Sequence, residues 1–131
     1  MDTARAVLIV DDDPSVLETM RVLLEGRAGF RVLTALGARG AERRLHGLDR
    51  LDVLVVDVDA SDAIGTALCH EVMRRHPEVA LVAMSSDGAG RMESLATAAF
   101  LPKPFGAREL LTAIDDARHR ALARREGVGT A

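Results

Sequence analysis

Residues 6–14 read Ala6-Val7-Leu8-Ile9-Val10-Asp11-Asp12-Asp13-Pro14: five apolar residues that stop at three aspartates and a proline. A short unbroken apolar run suits a strand covered on both faces, as in a parallel sheet. Asp13-Pro14 then reads as a helix N-cap with proline at the first helical position. Val16, Met20, Leu23 and Leu24 follow on one helix face, and Gly26 and Gly29 end it.

Outward from this unit the alternation repeats. Phe30–Thr34 reads as a second strand, and Ala38–Leu48 as a helix with Ala41 and Leu45 on its apolar face. Val53–Val56 is a third buried strand that stops at Asp57; Gly65–His76 is a helix closed by Pro77. Val79–Met84 is a fourth strand ending at Ser85, and residues 90–97 read as a short helix. Ala99–Leu101 is a brief fifth strand. A last helix from Gly106 to about Glu126 places Leu110, Leu111, Ile114 and Leu122 on its apolar positions. Such alternation predicts an α/β domain with a parallel sheet and helices on both faces. The expected organisation is one domain over residues 5–125 and a frayed C-terminal tail over 126–131.

The chain has 131 residues, 48% apolar and 28% charged, which fits one folded domain. With three Phe and no Trp or Tyr, the core has to be aliphatic. A net charge of −3 gives no reason to expect direct nucleic-acid binding. No segment approaches the roughly 20 apolar residues of a membrane span, and no signal peptide is visible, so the expectation is a soluble cytoplasmic protein. The single cysteine, Cys69, excludes an internal disulfide framework and reads as a small buried hydrophobe. His46, His70, His76 and His119 form no metal-binding spacing. The arginines of the last helix, Arg118, Arg120, Arg124 and Arg125, read as a solvated face; the other reading is a link to a partner or output domain.

In a doubly wound sheet, ligands bind outside the carboxyl ends of the strands. There the sequence places Asp11 and Asp12 after strand 1, Asp57 after strand 3, Ser85 after strand 4 and Lys103 after strand 5. Converging carboxylates repel one another unless a cation lies among them. Hard oxygen ligands with positions left for water suit Mg²⁺. Mg²⁺, the Ser85 hydroxyl and Lys103 together would fit a phosphoryl group. Lys103 stands in Phe100-Leu101-Pro102-Lys103-Pro104-Phe105 and is the only lysine beside 16 arginines. A compact ammonium reaches a small anion as a point charge where a forked guanidinium does not. The bland alternatives are a solvated cation at Lys103, a turn residue at Ser85 and helix caps at the aspartates. Lys103-Pro104 is also a candidate for a cis peptide bond.

The segments VLIVDDDPSV, DVLVVDVD, VALVAMSS and FLPKPF together resemble the receiver domain of two-component response regulators, over nearly the whole chain. The resemblance implies a flavodoxin-like fold with strand order 2-1-3-4-5 and five helices, the fourth of them short. It implies that Asp57 is the phosphoacceptor, that Asp12 binds Mg²⁺ directly and Asp11 through water, and that the Asp59 backbone carbonyl is a further metal ligand. Ser85 corresponds to the hydroxyl that moves to the new phosphate, and Lys103 to the lysine that contacts it. Phe100 corresponds to the aromatic switch, although a place in the core would explain it equally well. The implied donor is a sensor histidine kinase or a phosphotransfer protein. The output would be a downstream effector or output domain that the sequence does not identify, and the reading admits a homodimer. It implies no enzyme beyond assistance with the domain's own phosphorylation and dephosphorylation.

The chain departs from the family at Ser61, where proline is usual four residues after the acceptor, and in a Ser85–Lys103 segment about one helical turn short. Asp59 and Asp87 add acid near the site. Two rival readings follow. One is a receiver fold that acts without phosphate. The other is a haloacid-dehalogenase-like phosphatase, because Asp57-Val58-Asp59-Ala60-Ser61 resembles the start of that motif; it leaves Asp11 and Asp12 unexplained. A dinucleotide-binding domain is weaker still, since no G-x-G-x-x-G follows the first strand.

Overall fold

The first apolar run forms the second strand of the sheet and is covered on both faces, as its unbroken hydrophobicity requires. The structure, a computed structural model, describes residues 4–27, 29–59, 64–86 and 98–125. Its strands are β1 (Arg5–Asp11), β2 (Phe30–Leu36), β3 (Val53–Asp57), β4 (Ala80–Ser85) and β5 (Ala99–Pro102). The helices among the described residues are α1 (Pro14–Glu25), α2 (Gly37–His46), α3 (Ile64–Arg75) and α4 (Ala107–Arg125). All strand pairs are parallel, in the order β2-β1-β3-β4-β5. This is the expected flavodoxin-like topology. Of the five helices expected, the short one over 90–97 lies outside the described residues, as do Ser61, Asp87 and the 126–131 tail.

Strand pleating sends successive side chains to opposite faces and divides the core in two. Val7 and Ile9 join Leu17, Met20 and Leu24 of α1 and Leu110 and Ile114 of α4. Leu8 and Val10 join Ala41 of α2 and Leu68, Cys69 and Val72 of α3. The result is three layers, with the sheet between α1/α4 and α2/α3. Each fully buried Val, Leu or Ile contributes about 1.5–3 kcal/mol; the interior is aliphatic, with Phe30 and Phe105 packed against it only partly buried. Cys69 is one of these buried side chains, and burial pushes its thiol up to about 12.

Local chemistry sets the helix ends. Asp13 Oδ1 accepts hydrogen bonds from the Ser15 N–H at 2.9 Å and the Ser15 hydroxyl at 2.8 Å, capping α1 as expected, with Pro14 at its start. Gly26 closes α1, and its N–H reaches the Val22 carbonyl. At the start of α2, Gly37 has φ +71, in the left-handed region that favours glycine. Gly40 lies inside α2, and a Cβ there would rest 3.7 Å from the Ala35 Cβ, an ordinary contact. Gly40→Ala is expected to stabilise the fold by roughly 0.5–1 kcal/mol, read as a higher urea midpoint at unchanged slope. An unchanged or lower midpoint would count against this packing of α2.

Leu122 does not lie on the apolar face of α4 where the sequence places it. Leu122 is 50% exposed, whereas Ala113, Ala117 and Ala121 face the sheet together with Leu110 and Ile114. At about 100° per residue, Leu110, Ala113, Ile114, Ala117 and Ala121 share one face of α4, and Leu122 falls beyond its edge. Small alanines let α4 lie close to the sheet. Leu17, which the periodicity reading passed over, is buried on α1.

Candidate functional site

The sheet register brings the polar residues to one edge. Asp11 ends β1, Asp57 ends β3 and Ser85 ends β4. Lys103 follows β5, and its N–H donates to the Ser85 carbonyl at 3.0 Å, extending the ladder past the last paired residues. The Val58 N–H does the same towards the Met84 carbonyl, also at 3.0 Å. The Lys103-Pro104 peptide is cis.

The Lys103 ammonium stands among three carboxylates. Its Nζ lies 3.4 Å from Asp57 Oδ1, 3.6 Å from Asp11 Oδ2 and 4.0 Å from Asp59 Oδ2. Asp11 is 4% exposed. Its Oδ1 accepts from the Asp13 N–H at 2.9 Å, while its buried Oδ2 has no hydrogen-bond partner among the described residues. Burial raises the Asp11 carboxyl above the ordinary carboxylate range, and Asp57 adds to this; the Asp13 N–H and Lys103 only partly oppose it. Asp57 is half-buried, and its Oδ1 also accepts from the Asp59 N–H at 3.0 Å.

Asp59 supplies a feature that strand-end logic does not reveal. Its Oδ1 accepts from the Ser85 hydroxyl at 2.6 Å. Its Oδ2 accepts from the Ser86 N–H and the Ser86 hydroxyl, both at 2.9 Å. Burial acts to raise this carboxyl, yet the Ser85 and Ser86 donors hold it below the ordinary range. Ser86 was not among the expected site residues; the only hint in the sequence is the Ser85-Ser86 pair opposite an Asp-x-Asp.

Asp12 is exposed and stands apart from the lysine cluster. Its Oδ1 lies 3.0 Å from where a Cβ on Gly37 would be. Together Asp11, Asp12 and Asp57 line a cavity of about 270 Å³, walled by Leu36, Gly37 and Ile64. Phe100 is half-buried on β5, opposite Ala83.

Among the described residues, no three His, Cys, Asp or Glu side chains are already arranged around a metal position. The donor chemistry nonetheless fits Mg²⁺, which is usually held by one or two carboxylates with water and phosphate completing its shell. The orphaned, buried Oδ2 of Asp11 beside Asp57 is the kind of oxygen a hard cation satisfies. No helix among the described residues is long and apolar enough to cross a membrane.

Residues 7–115 match the response regulator receiver domain, from within β1 into α4. The chain is 36% identical over 129 residues to the transcriptional regulatory protein GltR of Pseudomonas aeruginosa, covering 92% of this chain and 50% of that one. It is 35% identical over 123 residues to the transcriptional regulatory protein CpxR of Klebsiella pneumoniae, covering 91% and 49%. The chain thus spans about half the length of these curated relatives. Among solved structures it is similar to a response regulator receiver domain protein from Clostridium thermocellum, at 26% identity and a TM-score of 0.76, over 92% of this chain and 98% of that one. A likeness that runs from the first strand into the last helix in both sequence and fold has one meaning: the chain belongs to the response regulator receiver domain family, the phosphorylation-activated switches of two-component signalling.

Proposed function

We propose that Asp57 is the phosphoacceptor of this domain and that a sensor histidine kinase or phosphotransfer protein is its donor. The observation that carries this reading is the Lys103 ammonium set 3.4 Å from Asp57 Oδ1 at the end of β3, with Asp11 at 3.6 Å. In the transfer, an Asp57 carboxylate oxygen forms a bond to phosphorus while the bond from phosphorus to the donor imidazole nitrogen breaks. The electron pair leaves with the imidazole, which is then neutral or takes a proton. The Asp59 N–H fixes the plane of the Asp57 carboxylate. Lys103 supplies the fixed positive charge beside the incoming phosphoryl oxygens.

Asp11, Asp12, Asp57 and the Asp59 backbone carbonyl are the residues that would hold Mg²⁺. When bound, the ion supplies charge neutralisation for the phosphoryl oxygens. Afterwards the Ser85 hydroxyl serves as the phosphate-seeking donor and Phe100 as the side chain that answers it. On this reading residues 5–125 form the switch unit, which lies in the cytoplasm, acts on no external substrate and changes the binding of a downstream effector.

The test is intact mass after incubation with Mg²⁺ and acetyl phosphate. One added phosphoryl group is expected, absent from Asp57→Asn and absent without Mg²⁺. An equal gain of mass in Asp57→Asn would move the acceptor elsewhere. Turnover of a generic phosphate ester without self-limited labelling would instead favour the phosphatase reading.

A further inference from the structure

We propose that Asp59 is a positioning residue that acts as a built-in rival to the phosphate: its carboxylate holds the Ser85 hydroxyl and sets how strongly phosphorylation must pull to release it. This deepens the reading above and rests on it.

A serine hydroxyl has one proton to donate. In this structure Ser85 is buried and gives that proton to Asp59 Oδ1 at 2.6 Å, a distance typical of an O–H donor on a carboxylate. It cannot give the same proton to a phosphoryl oxygen on Asp57. The Ser86 N–H and hydroxyl close on the other oxygen, so the chain leaving β4 wraps this one carboxylate. Asp59 is itself held in place, by its own N–H on Asp57 Oδ1 and by the neighbouring Val58 N–H on the Met84 carbonyl. The acceptor and its rival are therefore two residues apart at the end of β3, and Lys103 stands within 4.0 Å of both. A phosphoryl group brings about two charges and three acceptor oxygens, enough to outcompete one carboxylate. The switch must break a charge-assisted hydrogen bond before it makes a new one.

Charge alone would also make Asp59 oppose an incoming anion, so the test has to separate the two effects. The probe is beryllofluoride with Mg²⁺. Its affinity is read from backbone amide NMR shifts, since the chain has no Trp or Tyr to report by fluorescence. Four proteins form a double-mutant cycle: wild type, Asp59→Asn, Ser85→Ala and the double variant. The amide spectra also show whether each sheet is intact, and Asp59→Ala provides a second replacement for Asn.

Asp59→Asn is expected to tighten beryllofluoride binding about tenfold, equivalent to about 1.4 kcal/mol. In the Ser85→Ala background the same change is expected to shift affinity by less than about threefold, because the shared proton is gone. A tightening that persists in full without Ser85 overturns the proposal and leaves simple repulsion. No tightening in the Ser85 background overturns it as well. Wild type that binds no beryllofluoride at all would instead bring down the phosphoacceptor reading, and this proposal with it.

Discussion

Lys103→Met is expected to slow phosphoryl incorporation from acetyl phosphate on the order of a hundredfold or more, the range seen when one preorganised charge donor is removed from a transition state. The geometry gives the reason. One ammonium lies within 4.0 Å of Asp57, Asp11 and Asp59, and no other cationic side chain takes that position among the described residues. Without it, three carboxylates face one another and an incoming phosphoryl group adds further negative charge. The same substitution is expected to cost about 1–2 kcal/mol of stability at neutral pH, less than a fully buried pair would lose, because the Lys103 side chain is 25% exposed. Lys103→Arg restores the charge but spreads it over a planar fork, so it is expected to recover stability better than rate. The checks are the initial rate of mass gain at fixed Mg²⁺ and urea denaturation of the same samples. Incorporation by Lys103→Met at the wild-type rate would remove the lysine from the chemistry.

Gly65→Ala should strike the fold and the acceptor together. Gly65 is buried near the start of α3, and a Cβ there would stand 2.4 Å from the Asp57 carbonyl oxygen. The same Cβ would be 3.4 Å from the Asp57 carbonyl carbon and from Val56 Cγ1. Both of the close atoms are backbone, so no side-chain rotation relieves the clash. Either α3 lifts from β3 or the Asp57 peptide turns. Overpacking of this kind costs about 1–3 kcal/mol, and for a chain of this length each kcal/mol lowers the melting midpoint by about 3–5 °C. Phosphoryl incorporation should fall as well, because the displaced peptide carries Asp57. A wild-type midpoint in Gly65→Ala would mean that α3 yields without resistance. The contrast with Gly40→Ala, expected to stabilise, rests only on what each new methyl would touch.

The fold was legible because its signals are local and repeated. Buried runs such as Val53–Val56, the Asp13-Pro14 cap and the alternation of elements suffice to fix a parallel sheet and its layers. Asp11, Asp57, Ser85 and Lys103 could be sent to one edge because each stands at or just past the carboxyl end of a strand, and parallel strands end together. Other features depend on tertiary distance. The Ser85-Ser86 pair opposite an Asp-x-Asp only hints that the Asp59 side chain turns to Ser85 and Ser86, because the contact follows from where Asp59 stands relative to the end of β4. The approach of Gly65 to Asp57 is likewise a distance between elements. On α4 the error was one of weighting: leucine drew Leu122 into the stripe, when the alanine spacing marks the face that meets the sheet.

The hydrogen bond from the Lys103 N–H to the Ser85 carbonyl has a mechanical consequence. It makes the backbone of Ser85 part of the β4–β5 ladder, so that residue is an anchor and not a hinge. What Ser85 can change cheaply is its χ1 angle, a side-chain rotation rather than a backbone excursion. The next N–H, that of Ser86, is held by a side-chain carboxylate rather than by a strand. The backbone ladder on this edge of the sheet therefore ends at the single peptide bond joining Ser85 to Ser86.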